Sequence, residues 1–218
     1  MDISRFAGKV AICTASTTGI GYAAAERIAR EGAKVVICSR RQEKVDAAVK
    51  KLRDQDLEVS GIVCHQARKM DRQKLIEFTL TTYGGVDLLF VSAGVNPSRG
   101  PMLSMTEKQW DKLFDVNVKS TFMIIQECVP YMIQRGRGAI VINSTVLALF
   151  PEAVNDFLQQ IFPNETEIPP AKTFFQRYGN PAECGAVVAF LLSEDASFMT
   201  GEIISVGGGA EYFPIPKM

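Results

Sequence analysis

Short runs of apolar, mostly β-branched residues alternate along this chain with longer segments in which apolar residues recur at helical spacing. The apolar runs predict strands at 9–13, 34–38, 59–64, 88–91 and 139–143. The longer segments predict helices at 19–31, 42–54, 71–83 and 107–135. Strands that alternate with helices in this way predict a parallel sheet covered by helices on both faces. We therefore expect an α/β domain with a Rossmann-like, doubly wound parallel sheet.

The alternation is interrupted after Thr145 and resumes near residue 181. Residues 152–162 have the pattern of one amphipathic helix, and 163–170 are typical of a loop, with no β-branched run between them. A helix at 181–192 and a strand-like run at 202–206 then follow. The pattern predicts a single domain over 1–218, with a segment at 151–173 in which an expected strand is missing.

Charge and cysteine content narrow the classes of partner. Lys plus Arg and Asp plus Glu both number 24, without a long run of either sign, so neither nucleic acid nor an anionic membrane is expected as a partner. The five scattered cysteines are typical of reduced thiols in a cytoplasmic protein. No apolar run approaches the roughly 20 residues that a membrane helix needs. The C-terminal Pro-Lys-Met differs from a peroxisomal signal. A small-molecule partner is expected, and no metal site.

The first predicted strand runs directly into a glycine-containing turn and then into a helix. The free N–H groups of a helix N-terminus bind phosphate, and residues without Cβ atoms let it approach. We expect the turn to contact the pyrophosphate of a dinucleotide. Its candidate residues are Thr14, Ser16, Thr18, Gly19, Ile20 and Gly21. The alternative is an ordinary tight turn between a strand and a helix, because two glycines alone are weak evidence.

Ser39, Arg40 and Arg41 follow the second predicted strand, where an Asp or Glu would hold the ribose 2′-hydroxyl of NAD. A hydroxyl and two guanidinium groups suit instead the 2′-phosphate of NADP, which Arg binds through charge-assisted hydrogen bonds. We therefore expect NADP(H) as the cofactor. The alternative is a solvated basic loop before a helix.

Five motifs together make the chain resemble the short-chain dehydrogenase/reductase family, and within it the branch of NADP-dependent carbonyl reductases. They are Thr-Ala-Ser-Thr-Thr-Gly-Ile-Gly at 14–21, Ser-Arg-Arg at 39–41, Ser-Ala-Gly-Val-Asn-Pro at 92–97, Trp-Asp-Lys-Leu-Phe-Asp-Val-Asn-Val-Lys at 110–119 and Ser-Glu-Asp-Ala-Ser-Phe-Met-Thr-Gly-Glu at 193–202. The resemblance covers residues 5–150 and 174–209. It implies a carbonyl or alcohol substrate, such as a retinal, a steroid or a dicarbonyl, and a homotetramer.

The resemblance also assigns roles to individual residues. His65 follows the third strand, where many relatives place an Asp near the adenine, and a capping or packing role is equally open. Ser92 replaces an Asn of the family pattern, which is expected to weaken a contact near the fourth strand. Asn117 is expected to support the active site. The residues expected to approach the cofactor are Ile20, Ser39, Arg40, Ala93 and Gly94.

The resemblance implies a catalytic Ser that polarises the carbonyl, a Tyr that delivers a proton, and a Lys. A phenol with a pKa near 10 needs a nearby cation to act at neutral pH, and a Lys four residues further on shares its helix face. Thr145 aligns with the catalytic Ser, and Ser144 lies beside it. The Tyr and Lys positions fall on Leu158 and Phe162.

No Tyr-x-x-x-Lys occurs anywhere in the sequence. The nearest imitation, Tyr131 with Arg135, precedes Ser144 and is expected to be a packing tyrosine and a surface arginine. The family's sixth strand and its Pro-Gly turn are also missing, which indicates the deletion of one block. The deleted helix belongs to the surface through which the family forms tetramers, so we expect an exposed apolar face and an uncertain tetramer.

Two functions are compatible with these residues. The first is an NADP(H)-dependent carbonyl reductase by descent, with impaired turnover. The second is a non-catalytic NADP(H)-binding or subunit-partner protein derived from the same family.

Without a sixth strand, residues 202–206 are expected either to pair with 139–143 or to leave backbone groups without partners.

Overall fold

A computed structural model describes residues 4–98, 102–145 and 175–208. Its strands are β1 Val10–Thr14, β2 Lys34–Ser39, β3 Val59–Val63, β4 Leu88–Val91 and β5 Ala139–Ile142. They form one sheet in the order β3-β2-β1-β4-β5, and every adjacent pair is parallel. The chain moves from β1 first toward β3 and then, through β4, in the opposite direction. This reversal makes the sheet doubly wound, as the sequence predicts.

The helices connect the strands and lie close to their predicted positions. They are α1 Gly19–Arg30, α2 Gln42–Arg53, α3 Lys69–Tyr83, α4 Glu107–Phe114, α5 Ser120–Gln134 and α6 Pro181–Leu192. Short 3₁₀ turns occupy Met102–Ser104 and Glu194–Ala196. The helical ends differ from the predicted ones by one or two residues, which is the ordinary fraying of helix termini.

The helical stretch predicted at 107–135 is confirmed, but it is not a regular α-helix throughout. A π-helical turn at Asp115–Lys119 separates α4 from α5. Such a turn adds a residue to the helical repeat and changes the direction of the side chains on it. Trp110, Phe114, Val118 and Phe122 form an exposed apolar stripe on this long element.

Two apolar clusters fill the two sides of the sheet. On one side, buried residues of α1, α2 and α6 pack against alternate positions of β1, β2 and β4. On the other side, residues of α3 and α5 pack against the intervening positions. Alternate strand residues point to opposite faces, so every position of the central strands β1 and β4 is buried. This explains why the sequence shows continuous apolar runs.

Helix α6 packs unusually close to α1 because Gly185 lies at their contact. A Cβ atom on Gly185 would lie 2.8 Å from the carbonyl oxygen of Ala23. Ion pairs add to the attachment of the C-terminal part of the chain. Arg5 binds both Glu31 and Asp195, and Lys9 binds Glu194. The N-terminal segment thus connects α1 to the turn that follows α6.

The prediction of a strand at 202–206 was wrong. Residues 202–206 have no strand structure and are exposed, with Ile203 at 79%. They therefore do not pair with β5, the first of the two outcomes expected from the missing strand. A β-branched run becomes a strand only where a neighbouring strand offers backbone partners.

Several predictions concern residues outside the described ranges. These are the helix at 152–162, the loop at 163–170, the junction segment 151–173, and the aligned Tyr and Lys positions Leu158 and Phe162. Among the described residues, no helix is long and apolar enough to cross a membrane.

Candidate functional site

The turn between β1 and α1 presents an open helix N-terminus. Thr18, the N-cap residue, has extended backbone angles, and its side chain caps no N–H group. The first turn of α1 contains no acidic residue. Gly19 has a φ of +60°, a conformation that glycine adopts without steric cost. Ile20 is half-buried at the same end of the helix. The N–H groups and the positive end of the helix dipole are thus available to an anion.

Close backbone packing holds this turn in place. Thr14 and Ser16 are buried, and the Ser16 hydroxyl donates to the carbonyl oxygen of Thr14 at 2.9 Å. The Ser16 N–H donates to the carbonyl oxygen of Cys38. A Cβ atom on Gly21 would lie 2.7 Å from the carbonyl oxygen of Ala15. Thr14 and Ser16 therefore shape the turn through contacts within the protein, and direct contact with a cofactor stays a prediction.

The basic loop lies at the end of β2, beside this turn. Ser39 is half-buried, whereas Arg40 and Arg41 are exposed. Arg41 is the N-cap of α2 and forms an exposed ion pair with Glu43 at 3.6 Å. Arg40 makes no hydrogen bond or ion pair with any described residue. Its guanidinium group is therefore available to a ligand at the carboxyl edge of the sheet.

His65 lies at the end of the next strand, in the loop before α3. Its backbone N–H donates to Asp71 at 2.9 Å, and its carbonyl oxygen accepts from the N–H of Arg68. Its Nδ1 atom is buried and has no hydrogen-bond partner among the described residues. The backbone of His65 is thus held in the loop before α3 by Asp71 and Arg68, and its ring carries a buried nitrogen atom without a partner among the described residues.

The segment after β4 is held by the π-helical turn. The amide oxygen of Asn117 accepts from the N–H of Val95 at 2.8 Å, and its amide nitrogen donates to the carbonyl oxygen of Val95 at 2.8 Å. This reciprocal pair fixes the backbone that directly follows Ala93 and Gly94. Asn117 therefore acts on this site through the position of the loop after β4.

Ser92 has contacts on both sides although it departs from the family pattern. Its backbone N–H donates to the Thr14 hydroxyl oxygen at 3.2 Å. Its own hydroxyl lies 3.5 Å from the amide nitrogen of Asn143, at the limit of a hydrogen bond. The ends of β1, β4 and β5 are thus connected through Ser92, more weakly on the β5 side.

Ser144 and Thr145 follow β5 and are exposed. The N–H of Asn143 donates to the carbonyl oxygen of Val91, so the β4–β5 ladder extends to the residue before Ser144. All the candidate residues lie at the carboxyl ends of the strands or on the π-helical turn beside them. Ligands of doubly wound sheets bind at this edge, near the reversal between β1 and β4.

Tyr131 and Arg135 lie elsewhere, as the sequence predicts. Tyr131 packs against the cluster formed by α3 and α5. Arg135 binds Asp87, the residue that precedes β4, and these contacts raise the pKa of the guanidinium group. Asp87 is at the amino end of the strands, opposite to the candidate site. The pair does not replace a catalytic Tyr and Lys there.

A buried polar network behind the site was missed in the sequence. The amide nitrogen of Gln66 donates to the Ser120 hydroxyl, which donates to the carbonyl oxygen of Val116 in the π-helical turn. Arg72 donates to the carbonyl oxygen of Gln66 and binds both oxygens of Glu127. The partners are 54 and 55 residues apart. No local sequence signal connects residues at such separations.

Two family profiles match consecutive parts of the chain. The profile described as short chain dehydrogenase matches residues 9–156, and that described as Enoyl-(Acyl carrier protein) reductase matches residues 152–211.

Curated relatives and a solved structure are similar over most of the chain. "Dehydrogenase/reductase SDR family member 4" of Oryctolagus cuniculus is 37% identical over 94% of this chain and 94% of its own length. The Homo sapiens protein of the same name is 37% identical over 93% of this chain and 87% of its own. The crystal structure of gox2181 has a TM-score of 0.84 and 25% identity, and covers 95% of this chain and 98% of its own.

Proposed function

The chain belongs to the short-chain dehydrogenase family of oxidoreductases, and from this premise we propose that it binds NADP(H) as a carbonyl-reductase-type member with impaired turnover. The observation that carries the proposal is the end of β2. Ser39, Arg40 and Arg41 lie there with no acidic residue, beside the open N-terminus of α1. The two positions suit the 2′-phosphate and the pyrophosphate of one dinucleotide.

The chain's own residues fit this cofactor in three respects. The N-terminus of α1 has neither a side-chain cap nor an acidic residue that would compete with phosphate. The exposed guanidinium group of Arg40 has no protein partner among the described residues and suits a phosphate dianion. Ala93 and Gly94 follow β4 on a backbone held by Asn117, and Gly94 is exposed near the reversal point of the sheet.

Bound NADPH would supply a hydride to the carbonyl carbon of a small ketone or aldehyde. Ser144 or Thr145 would donate a hydrogen bond to the carbonyl oxygen as negative charge develops on it. The proton that completes the reduction needs an acid, and the family's Tyr and Lys have no counterpart in this chain. Without that pair the proton would come from water, so we expect slow turnover.

The deletion of a block has independent support from the length of the alignment. The alignment with the Oryctolagus cuniculus relative spans 244 positions. This chain has only 218 residues, and 94% of them are in the alignment. An alignment longer than the chain contains positions that the chain leaves empty. Impaired turnover is therefore the expected consequence of a lost segment.

The test of cofactor choice is to measure, by titration calorimetry, the binding of NADPH and of NADH to the wild-type chain and to Arg40→Ala. We expect Arg40→Ala to weaken NADPH binding about 10- to 100-fold, since a hydrogen bond to a charged group contributes about 1.5–3 kcal/mol. NADH binding should change little, because NADH lacks the 2′-phosphate. Lys50→Ala is the matched control and should change neither affinity, since Lys50 lies near the other end of α2 and forms only an exposed ion pair with Asp54. Equal losses for NADPH and NADH in Arg40→Ala would contradict the 2′-phosphate assignment.

The test of turnover compares the wild-type chain with a Ser144→Ala/Thr145→Ala variant. NADPH consumption with a reactive dicarbonyl should be slow in the wild-type chain and should fall further in the variant. Identical rates in both would show that these hydroxyls do not act on a carbonyl. NADPH binding with no turnover would favour the non-catalytic form of the protein, which the missing Tyr and Lys also favour.

A further inference from the structure

Among the described residues, β5 is the last strand of the sheet and has a neighbour on one side only. In a parallel ladder, alternate residues of a strand bond to a given neighbour. Ala139 and Asn143 donate their N–H groups to Asp87 and Val91, on the β4 side. By this alternation, the N–H and C=O groups of Ile140 and Ile142 point away from β4. No described residue bonds to them.

This edge also lacks the features that protect edge strands. Residues 138–145 contain no charged residue and no proline. Lysine, proline and bulges are the usual means by which proteins prevent edge-to-edge pairing. Ile142 is 51% exposed, and residues 202–206 form no strand that could pair with this edge. Within the described part of the chain, the edge is thus a row of backbone groups without partners beside apolar side chains.

We propose that the open edge of β5 pairs antiparallel with the same edge of a second copy of this chain. A two-fold axis at Val141 places Ile140 of each copy opposite Ile142 of the other. In that register, the outward N–H and C=O groups of Ile140 and Ile142 bond to each other, and none is left over. A closed two-fold pair of this kind uses the same surface on both molecules.

The side chains suit the same register on both faces of the sheet. Ile140 packs against the cluster of α3 and α5, and Val141 packs against the cluster of α1 and α6. On the first face, the exposed Ile142 would lie against Ile140 of the second copy. On the other face, Val141 would lie against Val141. Cross-strand pairs of β-branched residues stabilise antiparallel sheets, and no like charges meet at this axis.

The first test is sedimentation of the full chain and of Ile142→Lys. We expect the wild-type chain to dimerise at micromolar concentration, and Ile142→Lys to raise the dimer Kd about 10-fold or more, a change of about 1.4 kcal/mol. Ile142 is half-exposed, so the monomer tolerates the lysine. Met70→Lys, at an exposed position on α3, is the matched control and should leave the dimer intact. A monomeric wild-type chain, or an unchanged Kd in Ile142→Lys, would overturn the proposal.

A second test determines the register of the two β5 strands by disulfide cross-linking, and it does not require a variant that weakens the dimer. The axis places the two Val141 residues in a non-hydrogen-bonded pair, whose Cα atoms are about 4.5 Å apart and within disulfide reach. With oxidised glutathione, Val141→Cys should form a covalent dimer, whereas Ile140→Cys and the wild-type chain should not. A Val141→Cys chain that stays monomeric, or an Ile142→Cys/Ile203→Cys chain that cross-links to itself, would overturn the proposal.

Discussion

At the scale of single residues, the candidate site depends on close backbone contacts as much as on the side chains that would touch a ligand. Gly21 lies against Ala15 and Ser16, and Asn117 holds both polar groups of the Val95 backbone. These contacts fix the two loops that frame the reversal point of the sheet. Their removal should therefore alter both stability and cofactor binding.

The change Gly21→Ala should destabilise the chain by about 1–3 kcal/mol, the ordinary cost of inserting a group into a packed site. The added Cβ atom would lie 2.7 Å from one backbone oxygen and 2.8 Å from the Cα atom of Ser16, and neither can move freely. Urea unfolding measures the loss. Gly179→Ala is the control, since its nearest contact would be 3.9 Å. Equal stability of the two variants would mean that the turn is not closely packed.

The change Asn117→Ala should destabilise the chain by about 1–3 kcal/mol, since it removes two hydrogen bonds of about 0.5–1.5 kcal/mol each. Val95 would lose both partners, so hydrogen exchange at its N–H should accelerate. Lys119→Ala, in the same π-helical turn, removes only an exposed ion pair with Asp115 and should cost little. If Asn117→Ala is no worse than Lys119→Ala, Asn117 does not hold the loop.

Individual residues differ in how far the sequence predicts their roles. The position of Gly19 and Gly21 in a tight turn was predictable, because a strand followed by a glycine turn and a helix is a local pattern. The position of His65 was predictable, but the unpartnered Nδ1 atom was not. Gln66 and Arg72 were missed, because their burial depends on Ser120 and Glu127 across the fold. A polar residue in a helical pattern is usually solvated, so no local sequence signal predicts that Arg72 is buried.

At the scale of elements, the periodicity of apolar residues predicted five strands and the helices around them, but not every feature of those elements. The π-helical turn at Asp115–Lys119 was missed because one inserted residue hardly disturbs the apolar pattern. The strand at 202–206 was wrongly predicted. Its apolar residues have strand propensity, but a strand also needs a neighbour, and no described strand pairs with this segment.

At Gly185, in the contact between α1 and α6, helix propensity and packing have opposite effects on stability. Propensity alone predicts that Gly185→Ala stabilises the chain by about 1 kcal/mol. The added Cβ atom would lie 2.8 Å from the carbonyl oxygen of Ala23, which separates the helices. We expect packing to dominate, with a net loss of about 1–2 kcal/mol in urea unfolding. A gain in stability would contradict the close contact.

The N-terminus of α6 should give a pH-dependent contribution to stability. Hydrogen bonds from Arg177 and from the N–H of Asn180 lower the pKa of Glu183 from 4.5 to about 2. Because the folded pKa is depressed, the contribution is complete above pH 4.5 and is lost as the pH falls toward 2. Glu183→Gln should therefore melt below the wild-type chain at pH 7, and the difference should disappear near pH 2. A difference that does not depend on pH would contradict this role of the carboxylate.

At the scale of the whole molecule, the described residues form a doubly wound sheet of five strands that ends at an open β5 edge. Both faces of the sheet are covered, and the N-terminal segment binds the turn after α6 through Arg5 and Lys9. The described strands β1 to β4 carry the residues proposed to hold the dinucleotide phosphates. The sequence contains no Tyr-x-x-x-Lys pair. On the proposed function, this chain therefore binds the cofactor without efficient turnover.

The most direct test of this cofactor binding is thermal unfolding of the wild-type chain with NADPH, with NADH and without ligand. A ligand that binds only the folded state adds about 2.7 kcal/mol at 100 times its Kd. For a chain of this size that is about 5–10 °C. We predict one cooperative transition, raised by this amount with NADPH and by less with NADH. A transition that NADPH does not raise, or the absence of a cooperative transition, would contradict the account.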